Sequence, residues 1–444
     1  MPSPEPASEA QFREMRALLR NIFEHALAEC SIPAAFARSI HCCQQVLQIG
    51  ELSYDLDVFD QVLAISIGKA GHSMAAALIS VVNKPLTGII ACPDAPQSPL
   101  AGFRYFIGGH PLPNDESLLA GEAILKLVRG GSERSLLLFL ISGGASAIAE
   151  KPILAGMTLD DVVQTYKALV HCGAPIAEIN AIRKHLSALK GGRLAQAAAP
   201  AQQVSILVSD VPENALDALA SGPTMPDTTT VADCYRIAER YRLPQALPSL
   251  VRDLFEKQDL RETPKQGDPA FARSHHFSVL SNATATQAAA EKARQAGFAV
   301  EVDSTCDDWD YRAAADHLLR RLRELRKRTK RACIVSGGEV TVSVGANSGV
   351  GGRNQQFALY CAQETAGEKI AVLSAGTDGI DGNSPAAGAV VDGSTVTRAT
   401  ARNLRANRAL TTFDAFPLLH ALGDTIVTGP TGNNVRDLRI LMAY

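Results

Sequence analysis

The sequence predicts a two-domain α/β protein, with a larger three-layer α/β/α domain over residues 11–255 and a smaller α/β domain over 276–444. Three observations predict it. At 444 residues the chain is too long for one simple core. Short, continuous apolar runs alternate with stretches of helical periodicity four or five times before residue 250 and again after 276. Nearly every apolar run stops at a turn rich in Gly and Ser with a charged residue close by, most densely between Gly337 and Asp381. Apolar strand, Gly-rich turn, charged residue is how α/β proteins build the rim of an anion site.

The elements follow in order. Residues 1–10 predict no ordered element. Met15, Leu18, Leu19, Ile22, Phe23 and Ala26 recur at helical spacing within 11–30, and Pro33 ends or restarts that helix. A strand over 58–67 stops at Gly68-Lys69-Ala70-Gly71, and a helix over 74–82 follows. Such a turn either holds an anion on the backbone N–H groups of the helix start, with Lys69 as the charge, or is an ordinary connection with a surface lysine. It lacks the spacing of a Walker loop. Strands over 88–92 and 105–107 lead to Gly109-His110-Pro111, where restricted neighbours single out His110. Asn114 then caps a helix reaching Val128, with Glu116 in its first turn.

Residues 135–141 read as a central parallel strand covered on both faces, ending in Ser142-Gly143-Gly144. Thr158 caps the next helix. Another starts near Pro175 and carries Asn180, Arg183, Lys184 and His185, either a binding face or a solvated one. A strand over 204–208 ends in Ser209-Asp210, where a carboxylate at a strand end can hold a metal or orient a hydroxyl.

Residues 256–275 are polar and rich in Pro and Gly and read as the linker. Beyond it come a strand over 277–280, a helix over 284–295 capped by Asn282, a strand over 298–302 and a helix over 313–325 ending in a basic run. That run reads as a solvated helix end with a favourable dipole. A strand over 332–336 and a neighbour over 340–344 precede Gly351-Gly352-Arg353. An Arg after paired glycines presents its fork to an anion or caps a local carbonyl. A strand over 370–374 ends in a loop whose Asp378 and Asp381 suit Mg²⁺ better than zinc.

Composition excludes some classes. With 46 acidic and 43 basic residues the chain is near neutral, which argues against nucleic acid as a main partner. No apolar run reaches the length of a membrane span, and no apolar signal core opens the chain. The 9 cysteines form no CxxC framework, which reads as a reduced, cytoplasmic protein. Monomer and homo-oligomer both remain open.

The ordered set of motifs resembles the type II glycerate 2-kinases, the bacterial family whose C-terminal part is called the MOFRL domain. The matching stretches are Ile67-Gly68-Lys69-Ala70, Gly109-His110-Pro111, Ser142-Gly143-Gly144, Arg183-Lys184-His185-Leu186-Ser187, Lys190-Gly191-Gly192-Arg193, Ser209-Asp210-Val211-Pro212, Ser336-Gly337-Gly338-Glu339, Gly351-Gly352-Arg353-Asn354-Gln355 and Gly376-Thr377-Asp378-Gly379-Ile380-Asp381-Gly382. The family usually continues Ser-Asp-Val-Pro with Gly-Asp; here Glu213-Asn214 stands there.

The resemblance implies a Rossmann-like first domain, a cleft between domains and transfer of the ATP γ-phosphoryl group to the 2-hydroxyl of D-glycerate. It implies Lys69 and Arg353 on the substrate and phosphoryl oxygens; His110, Ser142 and Arg183 are the further candidates for substrate binding. Backbone nests after Ser142 and Ser336, made of Gly143, Gly144, Ser336, Gly337, Gly338 and Glu339, would take the nucleotide together with Lys184. Asp210 or Asp378 would take the hydroxyl proton or stand near Mg²⁺. The family has also carried the label hydroxypyruvate reductase. An NAD(P)-dependent enzyme would need G-x-G-x-x-G opening a βαβ unit, which the stretch around Gly68 and Gly71 lacks. A non-enzymatic sugar-acid-binding regulator would need an output domain, and no basic recognition helix is visible.

Overall fold

Ser135–Ser142 is buried along its whole length, as its continuous apolar run requires of a strand covered on both faces. The computed structural model that contains it describes residues 9–82, 84–345 and 348–444, with the side chains of Glu213 and Asn214 outside the description. The described residues divide into two units, Ala35–Val279 and a second that joins the residues from Glu9 to Ala34 with Leu280–Tyr444.

The first unit opens with a three-stranded antiparallel meander, β1 (Ile40–Cys43), β2 (Val46–Ile49) and β3 (Leu52–Asp55). Its main sheet comprises β4 (Gln61–Ile67), β5 (Thr87–Cys92), β6 (Phe103–Ile107), β7 (Ser135–Ser142), β8 (Gln202–Val208) and β9 (Ser274–Leu280), in the order β6-β5-β4-β7-β8-β9. Strands β4 to β8 are parallel, with Ile67 beside Ile141 and Ser142 beside Val208, so their carboxyl ends lie along one edge. The chain runs outward from β4 to β6, then returns to the other side of β4 as β7. That reversal between β4 and β7 is the place where open α/β sheets bind ligands.

Two expectations change here. The segment 256–275 is not a linker: Thr263 is buried and donates to Asp227 at 2.8 Å, and Glu262 reaches His185 at 3.0 Å. The strand expected over 277–280 is the end of β9, which closes the first sheet instead of opening the second domain. Hydrogen bonding by polar side chains, invisible in composition, holds this stretch down.

The second unit carries β10 (Ala299–Val302), β11 (Ala332–Gly337), β12 (Ile370–Gly376), β13 (Gly388–Asp392), β14 (Thr425–Ile426) and β15 (Asp437–Ala443), in the order β10-β11-β15-β12-β13-β14. The last strand is central, antiparallel to both β11 and β12. Helix Glu9–Glu29 belongs to this unit, not to the one that follows it in sequence. Its Phe12, Met15, Leu19, Ile22 and Phe23 pack with Val335, Leu373, Leu438 and Ile440, removing that apolar face from water. The strand expected over 340–344 is absent; only a single bridge joins Thr341 to Asp310, because β10 and β15 already occupy both sides of β11. Helix Tyr311–Arg328 does end in the basic run, Arg326, Lys327 and Arg328. No helix among the described residues is long and apolar enough to cross a membrane.

Candidate active site

In the first unit, the sequence-predicted groups gather at the carboxyl ends of the parallel strands. Lys69 follows β4, His110 follows β6, Ser142 ends β7 and Asp210 follows β8. The Lys69 N–H donates to the Gly143 carbonyl at 2.9 Å, and the Ala70 N–H donates to Ser142 Oγ at 3.1 Å. These bonds span the reversal between β4 and β7.

Glycines make this gathering possible. Gly68 has φ +128°, and a Cβ there would lie 2.3 Å from Ser142 Oγ. A Cβ on Gly143 would lie 2.1 Å from Asp210 Oδ2; one on Gly144 would lie 3.0 Å from His110 Cδ2 and 3.1 Å from Lys69 Cγ. Gly143 and Gly144 therefore let a carboxylate, an ammonium stem and an imidazole close on one turn. Desolvation, with repulsion from Lys69, holds the His110 pKa below its ordinary value, so the ring is neutral near pH 7.

A cavity of about 490 Å³ opens beside this turn, lined by His110, Gly144, Tyr166, Lys167, His171 and Arg183 among others. Arg183 and Lys184, adjacent on helix Ile176–Leu186, part company. The Arg183 guanidinium lies over the Tyr166 ring, 4.3 Å from its centre. Lys184 is buried and bonds Asp217 at 2.9 Å and Asp227 at 3.0 Å. Its expected nucleotide role is corrected: the ammonium is committed to an internal ion pair. Burial works to raise the Asp227 pKa, but Lys184 and the hydrogen bonds from Thr229 and Thr263 outweigh it and leave it lowered.

The second unit builds a cavity of about 540 Å³ whose lining includes Arg353, Asp378, Asp381 and Gly352. Arg353 opens helix Arg353–Glu364. Its Nε donates to Asp437 Oδ2 at 2.6 Å, its Nη2 to Asp437 Oδ1 at 3.1 Å, and Glu339 accepts at 2.8 Å. Burial alone would lower the Arg353 pKa; the two carboxylates reverse the sign and raise it. Asp381 is not a metal partner for Asp378. Its Oδ1 takes the Asn354 N–H and side-chain amide at 3.0 and 3.3 Å, and its Oδ2 those of Gln355, both at 2.9 Å, so it caps the Arg353 helix from a distant loop. Asp378 Oδ1 accepts the Ile380 N–H at 3.0 Å.

The turn after Ser336 is not an open nest. The Gly337 N–H donates to Ser304 at 3.1 Å, the Gly338 N–H to Asn282 at 2.9 Å and the Glu339 N–H to Asp307 at 2.9 Å. Those donors were expected to face a nucleotide and are instead spent on side chains. Ser281, not Asn282 as expected, is the cap residue of helix Asn282–Gln295, and the Asn282 side chain serves the turn.

Sequence reasoning missed Asp437, Glu150, Tyr166 and Lys190. Asp437 did carry a signal: it alternates with Arg439 on an otherwise apolar strand. Among the described residues no group of three or more His, Cys, Asp or Glu could hold a metal ion. Mg²⁺ commonly binds through one or two carboxylates plus substrate phosphates, so half-buried Asp210 and Asp378 each fit as a single carboxylate, not as a cage.

These features define an α/β protein with Lys69, His110, Ser142 and Asp210 gathered at the reversal of a parallel sheet and a second cavity, lined by arginine and aspartate, in its other unit. Residues 18–256 match the family model described as "Domain of unknown function (DUF4147)" and residues 332–437 match the MOFRL family. The chain is 35% identical over 389 residues to the D-glycerate 2-kinase of Thermotoga maritima, covering 86% of this chain and 90% of that one. It is 31% identical over 393 residues to the glycerate 2-kinase of Pyrococcus horikoshii, covering 87% and 88%. The crystal structure of glycerate kinase from Thermotoga maritima superposes with a TM-score of 0.85 at 31% identity, over 97% of this chain and 100% of that one. The chain belongs to the type II glycerate kinase family.

Proposed function

We propose that the protein is an ATP-dependent glycerate 2-kinase, transferring the γ-phosphoryl group of ATP to the 2-hydroxyl of D-glycerate to give 2-phospho-D-glycerate and ADP. The observation that carries this reading is the gathering of Lys69, His110, Ser142 and Asp210 around Gly143-Gly144 at the sheet reversal, in a chain that shares about a third of its residues with two glycerate 2-kinases.

Phosphoryl transfer asks a protein for positioning and charge neutralisation more than for covalent chemistry. Lys69 neutralises anionic oxygens at the crevice. His110, neutral near pH 7, orients the substrate without adding charge. Ser142 fixes the start of the helix after Lys69 through the Ala70 N–H, and the backbone of Gly143 and Gly144 faces the nucleotide. Arg183 binds the substrate carboxylate. Asp210 or Asp378 accepts the C2 hydroxyl proton. Arg353 holds anionic oxygen in the cavity it shares with Asp378, and the turn at Ser336–Glu339 serves it as scaffold through Glu339. Mg²⁺, arriving with the nucleotide, would use Asp210 or Asp378 as its protein carboxylate and supply charge neutralisation of the phosphates.

Incubation with ATP, Mg²⁺ and D-glycerate, followed by ³¹P and ¹H NMR of the product, tests the reading. The expected product carries phosphate on C2. Absence of ATP-dependent phosphorylation, or a product phosphorylated on C3, overturns it.

A further inference from the structure

Arg353 and Arg183 are held in opposite ways. Arg353 spends its fork on carboxylates. Arg183 makes no ion pair among the described residues, and its buried Nε has no hydrogen-bond partner there. What Arg183 does have is the face of Tyr166, at 4.3 Å. A ring face orients a guanidinium plane through cation–π attraction and consumes none of its N–H donors.

Tyr166 is itself fixed from beneath. Its hydroxyl donates to Glu150, and the Lys190 ammonium bonds both Glu150 and the Tyr166 oxygen, the latter at 3.0 Å. Ser187 Oγ donates to the other Glu150 oxygen at 2.5 Å. Glu150, Tyr166, Ser187 and Lys190 are all buried. Glu150 and Lys190 neutralise each other, so the charge of Arg183 is left uncancelled at the cavity wall. Among the described residues no Asp or Glu lines that cavity.

We infer that Tyr166 is a positioning residue: its ring, packed above the buried Glu150–Lys190 pair, holds the Arg183 guanidinium flat with its donors kept for the carboxylate of a small 2-hydroxy acid. The inference rests on the reading of the protein as a glycerate kinase for the identity of that acid. Removing the ring frees Arg183 without altering its charge, so the loss falls on acid binding and not on nucleotide binding.

The test uses the full chain with Tyr166→Leu and Tyr166→Phe, each checked by its thermal midpoint. Tyr166→Leu is expected to raise KM for D-glycerate about tenfold and leave kcat and KM for ATP near wild type, whereas Tyr166→Phe, which keeps the ring, stays within about threefold. An unchanged glycerate KM in Tyr166→Leu, or a parallel rise in both KM values, overturns the inference. Should Tyr166→Leu not fold, Arg183→Lys keeps the charge and loses the flat stacking; it must raise the glycerate KM by the same order, and an unchanged value overturns the inference. If the wild type phosphorylates nothing, the kinase reading falls and calorimetric titration with D-glycerate decides the positioning role separately. Binding that survives Tyr166→Phe and is lost in Tyr166→Leu and Arg183→Lys supports it. Equal binding by all, or no binding by wild type, overturns it.

Discussion

Asp437 grips Arg353 with both carboxylate oxygens, Oδ2 to Nε at 2.6 Å and Oδ1 to Nη2 at 3.1 Å. The bidentate fit fixes the plane of the guanidinium as well as its place. Asp437 sits at the start of central strand β15, so the rigid core of the second unit sets the aim of Arg353. Asp437→Asn keeps the shape and loses one acceptor and the charge. It is expected to lower kcat/KM about 100-fold through misplacement of Arg353, with the fold retained by circular dichroism. Steady-state kinetics check this, and an unchanged kcat/KM would show that Arg353 needs no such aim.

Lys184 gives the opposite forecast from its neighbour in sequence. Its ammonium is buried between Asp217 and Asp227. Lys184→Met leaves Asp227 buried without its cation and is expected to cost about 3–5 kcal/mol of stability. Denaturant unfolding of the first unit measures this. KM for ATP should hold steady at a temperature where the variant is folded; a large rise would return Lys184 to the nucleotide.

His110 and Lys69 are coupled by charge. The His110 pKa lies below 6.5 because desolvation disfavours the imidazolium and because Lys69 repels it. The unfolded chain therefore takes up that proton at a higher pH than the folded chain. This group's contribution to stability is intact above pH 6.5 and is lost as pH falls below it. Lys69→Met removes the repulsion and leaves the desolvation, so the His110 midpoint is expected to rise toward 6.5 without passing it. An NMR titration of the His110 ring in both forms checks this, and a midpoint that falls or stays put would deny the coupling.

Much of the frame could be read from the sequence because it is written in hydrophobicity. Buried parallel strands such as β7 are continuous apolar runs, and the turns that carry Lys69, Ser142 and Asp210 announce themselves by Gly and Ser. The meander β1 to β3 left no such mark: each strand is four residues long, and the first turn uses Gln44 and Gln45 at positive φ where Gly or Asn would have signalled it. The amphipathic face of the first helix was legible, but what covers it was not, since periodicity says that a face is buried and never where. Helix phase separates Arg183 from Lys184 by about 100°, enough to send one to a cavity and the other to an internal ion pair. The run of polar residues on that helix could not say which was which. The turn after Ser336 looked like the turn after Ser142 in sequence. Ser304, Asn282 and Asp307, all distant along the chain, made it a different object.

Gly143 offers the sharpest test of Asp210. Its φ lies outside the left-handed region, so alanine there brings no backbone strain of that kind. The added methyl would lie 2.1 Å from Asp210 Oδ2, closer than any real contact, and the carboxylate must move. Gly144→Ala would instead combine a positive φ of 82° with contacts to His110 and Lys69, confounding backbone strain with displacement. Gly143→Ala therefore presses on Asp210 first, since the three atoms nearest the added methyl all belong to its carboxylate. If Asp210 accepts the hydroxyl proton, kcat is expected to fall about 100-fold with a small change in thermal midpoint. A Gly143→Ala protein with wild-type kcat, beside an Asp378→Asn protein that is dead, would assign the proton to Asp378.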